Sequence, residues 1–137
     1  MDISKEYIKM CENADEIQEL WEPTTGDEYT TNVSIAVEEY NVYLLVGLMD
    51  KGFIWLPHQD QLQDVIDSGS ILFWDLCSEP EGWLVLGRDV GEERIYPPDS
   101  LNGIYEHHYS DTAEQALLKA VMWSLYKKTW NGEDWIL

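Results

Sequence analysis

The chain is poor in positive charge, with eight Lys and Arg against 27 Asp and Glu and a formal net charge of -19 at pH 7. Such a surface repels nucleic acid and anionic lipid, so direct nucleic-acid or membrane binding is not expected, whereas a basic partner is electrostatically favoured. Cysteine is scarce too. Cys11 and Cys77 lie far apart without a CxxC pattern and read as free thiols in a reducing cytosol, with a single long-range bridge as the alternative. No apolar run reaches membrane-spanning length, and the start Met-Asp-Ile-Ser-Lys-Glu lacks the basic and apolar segments of a signal peptide, so a soluble cytoplasmic protein is expected. Gly-x-Ser-x-Gly elbows, Walker sequences and dinucleotide fingerprints are absent, and Gly82, Gly87 and Gly91 read as turn residues. With no internal repeat, low-complexity tract or interdomain linker, residues 1–137 read as one domain.

Aromatic residues, by contrast, are plentiful: seven Trp and eight Tyr within a chain that is 45% apolar argue for a packed core despite the charge. The clearest element is a helix over 111–128, where Ala113, Leu117, Ala120, Val121, Ser124 and Leu125 recur at helical spacing. Asp111 suits its N-cap, with Glu114 at the third helical position, and Lys127 and Lys128 suit its negative end. Leu118 and Met122 widen the apolar arc. Trp123, Tyr126 and Trp130 on the far side need cover, either from an Asn131-Gly132 return with Trp135 or from another chain.

Ile3, Tyr7, Met10, Ala14, Ile17 and Trp21 alternate spacings of four and three, which predicts a single helix over residues 3–21. From 29 to 56 the chain is rich in β-branched and aromatic residues. Strands are expected through Val33, Ile35 and Val37, over 40–49, and over 53–56, the last two forming a hairpin across Asp50-Lys51-Gly52. Pro57 fits the first turn of a short middle helix with Leu62, Val65 and Ile66 inward and Gly69 past its end. Further strands are expected at 71–76 and 83–87, joined by a Cys-Ser-Glu-Pro-Glu-Gly loop, then at 94–96, with a last edge strand near 103–109. The fold class is therefore α+β: a largely antiparallel sheet of about five to six strands packed with an N-terminal, a short middle and a C-terminal helix.

Candidate chemistry is thin. His107-His108, beside Glu106 and Asp111, is the one cluster resembling metal ligands, but adjacent strand residues point to opposite faces and no second ligand pair is present, so no metal is expected. Asp60, Asp64 and Asp67 share a face of the middle helix and could approach a divalent cation as hydrolase carboxylates do, yet a helix lying on a sheet must expose some face. Glu12, Asp15, Glu16 and Glu19 form a comparable acidic face on the first helix. Both faces are candidate docking surfaces for a basic partner, against the simpler reading of solvated helix faces.

Three stretches together resemble an uncharacterised family of small acidic proteins encoded by phages and prophages of Gram-positive bacteria. They are Tyr7-Ile8-Lys9-Met10-Cys11 leading to Glu16-Ile17-Gln18-Glu19-Leu20-Trp21, then Trp55-Leu56-Pro57-His58-Gln59-Asp60-Gln61-Leu62-Gln63, and finally Glu114-Gln115-Ala116-Leu117-Leu118 to Trp130-Asn131-Gly132-Glu133-Asp134-Trp135. The resemblance implies a phage gene acting in a bacterial cytoplasm and carries no catalytic residue. A non-enzymatic binder of a host or defence protein is therefore expected, one that modulates or inhibits it by competing for a basic nucleic-acid-binding groove, without cofactor and as a monomer or homodimer. The alternative is a binder of a signalling nucleotide, with Trp74, Trp83 or Tyr96 to stack and Arg88 or Arg94 for phosphate; a metal-dependent hydrolase stands third.

Overall fold

A computed structural model describes residues 2–22, 27–30, 35–37, 54–67, 71–89, 95–96 and 109–137. Helices and small antiparallel ladders alternate along the chain, a mixed α+β architecture. The strands fall into ladders of three, three and two, and among the described residues no ladder joins the first three strands to the next three, so the expected larger sheet is not formed by them. Contacts group the chain into two compact units, Met1–His58 with Trp130–Trp135, and Gln59–Thr129 with Ile136–Leu137.

In the first unit, α1 (Lys5–Glu12) begins at Ser4, whose hydroxyl accepts the Tyr7 N–H at 3.2 Å and so satisfies one unpaired donor of the first turn. Asp2, itself buried, accepts the Ser4 N–H at 2.8 Å and fixes the entry. The expected single helix over 3–21 is broken: α1 stops at Glu12, Ala14 takes φ -95° and ψ 70°, and a four-residue helix, α2 (Asp15–Gln18), restarts. The buried stripe survives the break, since Tyr7, Met10, Ala14, Ile17 and Trp21 are all buried, while Ile3 is exposed. What compensates the break is Gln18, whose amide donates to the Cys11 carbonyl at 3.1 Å.

The same amide side chain donates to the Trp55 carbonyl at 3.0 Å and accepts the Trp55 N–H at 2.7 Å. Trp55 lies in β3 (Ile54–Leu56), which pairs antiparallel with β1 (Glu28–Thr30); β1 pairs in turn with β2 (Ile35–Val37), giving the order β2-β1-β3. β1 is too short and polar to announce itself in the sequence. The expected strand over 40–49 and its hairpin lie outside the described residues. α1 packs on β3, and the buried Tyr7 hydroxyl donates to the Pro57 carbonyl at 2.8 Å. Pro57 thus precedes the middle helix rather than opening it.

In the second unit, α3 (Gln59–Asp67) buries Leu62 and Ile66, four residues apart on one face, whereas Val65 is half-buried. It packs on α4 (Ala113–Tyr126), and both helices pack on β4 (Ile71–Glu79), α4 also on β5 (Gly82–Asp89). The expected six-residue loop is only a two-residue turn at Pro80-Glu81, because strand pairing runs on to Glu79 opposite Gly82. Gly82 sits at φ +139°, and a Cβ there would meet the Ser110 carbonyl oxygen at 2.6 Å, so both backbone conformation and space demand glycine. That close approach is a bridge: Trp83 N–H donates to the Ser110 carbonyl at 2.7 Å and Ser110 N–H to the Trp83 carbonyl at 2.9 Å. A short β6 (Ile95–Tyr96) completes the order β4-β5-β6, and residues 103–108 of the expected edge strand lie outside the described residues.

The N-cap of α4 is Thr112, which accepts the Gln115 N–H at 3.2 Å; Asp111 lies one residue too early and is exposed. Nine of its fourteen residues are buried, Leu117, Leu118, Ala120, Val121 and Met122 completely. The helix closes at Lys127, which adopts the left-handed conformation (φ 57°, ψ 35°) while its ammonium donates to the Ser124 carbonyl at 3.1 Å and lies 4.5 Å from the Trp123 ring centre. The cation at the negative end is as the sequence suggests.

The chain then turns through the ladder of β7 (Thr129–Trp130) and β8 (Trp135–Ile136). Residues Trp130–Trp135 belong to the first unit. Trp130 is half-buried against Trp135, ring centres 5.1 Å apart, so the return covers one of the three aromatics that needed it; Trp123 and Tyr126 are half-buried within the second unit.

Candidate functional site

Two acidic helix faces are the candidate docking surfaces. On the first unit, Glu12 ends α1, Asp15 and Glu16 occupy the first turn of α2, and Glu19 is its C-cap. Glu12, Asp15 and Glu19 are exposed and Glu16 is half-buried, so the structure gathers three of the four on solvent. Lys9 of α1 is paired with Glu133. On the second unit, Asp60, Asp64 and Asp67 are all exposed along α3, opposite the buried Leu62 and Ile66. A polar stripe over an apolar one is what orients them outward.

The alternative ligand residues are less concentrated. In the antiparallel register Trp74 lies opposite Gly87, and Gly87 opposite Tyr96, so these three positions stand abreast across β4, β5 and β6. Arg88 is the next position along and alternates with that row, pairing in register with Phe73 and Ile95. Trp83 is half-buried and fixed by its bridge to Ser110. Arg94 and the side chains of Trp74, Arg88 and Tyr96 lie outside the described residues, as does the His107-His108 pair. Among the described residues, no group of three or more His, Cys, Asp or Glu could hold a metal ion.

Both thiols are free. Complete burial raises the Cys11 thiol far above its ordinary value, Asp2 adding to the effect and a hydrogen bond with Tyr7 opposing it. Partial burial raises the Cys77 thiol, helped by the Asp75 and Glu79 carboxylates. What acts on the two thiols among the described residues is burial and carboxylates, which disfavour the thiolate, with only the Tyr7 hydrogen bond favouring it at Cys11.

Two arrangements escaped the sequence reading. Trp21 and Trp55 stack with ring centres 6.2 Å apart and planes within 3°, Tyr29 tilts against Trp21 at 6.0 Å, and the buried Asp27 accepts the Trp21 indole N–H at 2.9 Å. The second is the seat of the Asn131-Gly132 return on α1. Trp130 donates to the Glu6 carboxylate at 2.8 Å, Trp135 to the Met10 carbonyl at 2.9 Å, and Asn13 to the Glu133 carbonyl at 3.0 Å. The Trp spacing near the C-terminus hints at such a return, but its partners on α1 lie more than a hundred residues away in sequence.

No family model, curated protein or solved structure matches this chain. No helix among the described residues is long and apolar enough to cross a membrane.

Proposed function

We propose that this is a non-enzymatic, phage-derived acidic protein of the host cytosol, as its sequence resemblance suggests, that binds a basic host or defence protein and inhibits or modulates it. The observation that supports this reading is the charge of -19 together with the exposed carboxylates of Glu12, Asp15 and Glu19 on α1 and α2 and of Asp60, Asp64 and Asp67 on α3. Carboxylates ranged along a helix face compete with nucleic-acid phosphates for a basic groove, and long-range attraction speeds the encounter. The buried residues beneath them, Met10, Ile17, Leu62 and Ile66, hold these elements in place with their carboxylates outward.

The test is capture from lysate of a Gram-positive host at low ionic strength, followed by titration of the recovered partner. A basic, nucleic-acid-binding protein is expected, with affinity that falls steeply as salt rises and that is weakened by Glu12→Gln, Asp15→Asn and Glu19→Gln together. Recovery of no basic protein at low salt would sink the reading. The triple variant on α1 and α2 and a matching Asp60→Asn, Asp64→Asn, Asp67→Asn variant on α3 distinguish which face carries the contact.

A further inference from the structure

Residues Trp130–Trp135 form a strap whose contacts gather on one stripe of α1. Glu6 lies three and four residues before Lys9 and Met10, and Asn13, the C-cap, lies four and three residues after them, so the four share one side of α1 and its end. Each of them receives the strap: Glu6 from the Trp130 indole, Lys9 through the Glu133 carboxylate, the Met10 carbonyl from the Trp135 indole, and Asn13 through the Glu133 carbonyl. The strap also has a shape of its own. Asn131 Oδ1 accepts the N–H groups of Glu133 and Asp134, both at 2.8 Å, and Asn131 N–H donates to the Asp134 carbonyl at 3.1 Å. A preformed turn with one seat needs little reordering to leave that seat and take it again.

The connection to α4 is the other half of the observation. Lys127 holds φ 57°, the one positive φ found at a non-glycine among the described residues. A side chain bearing a Cβ is disfavoured there, and the conformation is held by the capping bonds from Lys127 N–H to the Trp123 carbonyl at 3.0 Å and from Lys128 N–H to the Met122 carbonyl at 3.2 Å; rotation of Lys127 into extended backbone exchanges those bonds for relief of the strain and redirects the chain that leads to the strap.

We propose that the strap exchanges between two copies of this chain, Trp130–Trp135 of one copy seating on the Glu6-to-Asn13 stripe of the other and reciprocally, with Lys127 and Lys128 as the hinge. Seat and strap are the same in each copy, so every contact above is kept, and the reciprocal arrangement closes on itself as a dimer. The charge of -19 on each copy opposes the approach at low salt, and screening relieves it. Exchange therefore rises with salt, whereas partner binding through the acidic faces falls, so the two proposals fail separately.

Lys9 and Glu133 supply the test, because they meet only where strap and seat meet. Chains carrying Lys9→Cys and chains carrying Glu133→Cys, each with Cys77→Ser, are mixed at high concentration and salt, oxidised and separated without reductant. A covalent heterodimer is expected, its yield rising with concentration, incubation time and salt. The doubly substituted chain, oxidised when dilute, is expected to close within itself and calibrates the pair. Closure within the double variant with no heterodimer at any concentration overturns the exchange; failure of both overturns the seat on which it rests. Lys127→Gly, which removes the strain from the unexchanged form, should lower the heterodimer yield, and a yield that does not fall overturns the assignment of the hinge.

Discussion

α4 buries nine of its fourteen residues, whereas α1 buries three of its eight and is tied down along a neighbouring stripe by indole, amide and ion-pair contacts from Trp130–Trp135. One helix is held by volume, the other by a set of directed bonds on top of a narrower apolar stripe. The difference teaches where each helix is vulnerable. Apolar packing fails by cavities and is indifferent to pH or salt, while directed contacts fail one at a time and respond to both.

The largest break should come in α4. Leu117→Ala empties a completely buried position and should lower stability by about 4 kcal/mol, read by denaturant unfolding. A loss under about 1 kcal/mol would show that α4 is not packed as described. In α1, Trp135→Phe keeps an aromatic ring but leaves the buried Met10 carbonyl without its donor, for a loss of about 2 kcal/mol. If the phenylalanine variant matches the parent, the indole bond is not what secures the strap.

Cys11 sharpens the comparison through pH. Its thiol stays protonated in the folded chain well above the ordinary value of 9.0, at which the unfolded thiol ionises. Its contribution is therefore complete below that pH and lost as pH rises, at up to about 1.4 kcal/mol per pH unit. Cys11→Ala should flatten the alkaline slope of stability; an unchanged slope would mean that the thiol is not sequestered. Smallest of all is Lys9→Ala. With its side chain 38% exposed and that of Glu133 80% exposed, the pair should contribute only about 0.3 kcal/mol and vanish in high salt, as a double-mutant cycle with Glu133→Gln would measure.

These contrasts also explain what could be read in the sequence. The core of α4 was legible because apolar periodicity is local: Ala113, Leu117, Ala120, Val121 and Ser124 are buried as their spacing predicts, whereas Leu125, at the edge of the same stripe, is only half-buried. Thr112 and Asp111 are both able caps, and a one-residue choice between them depends on the path of the chain entering the helix. The break after Glu12 was hidden because the 3-4 spacing runs through it, and the bond that compensates it, from Gln18 to Cys11, leaves no mark on apolar periodicity. Exposure of Glu12, Asp15, Glu19, Asp60, Asp64 and Asp67 followed from the same stripes; Glu16 is the exception, half-buried beside Ile17. The strap and the Trp21, Asp27, Tyr29 and Trp55 cluster were not legible in detail, since their geometry depends on contacts between distant segments.

Gln18 has one more effect. At Trp55 its carboxamide takes both the N–H and the C=O of β3, the groups a further strand would use. Among the described residues β3 pairs only with β1, on its other side, so at that position a single side chain occupies the groups through which the ladder could pair with a foreign chain. Gln18→Leu would free both groups at Trp55 for intermolecular β-pairing while leaving the buried stripe of Tyr7, Met10, Ala14, Ile17 and Trp21 untouched.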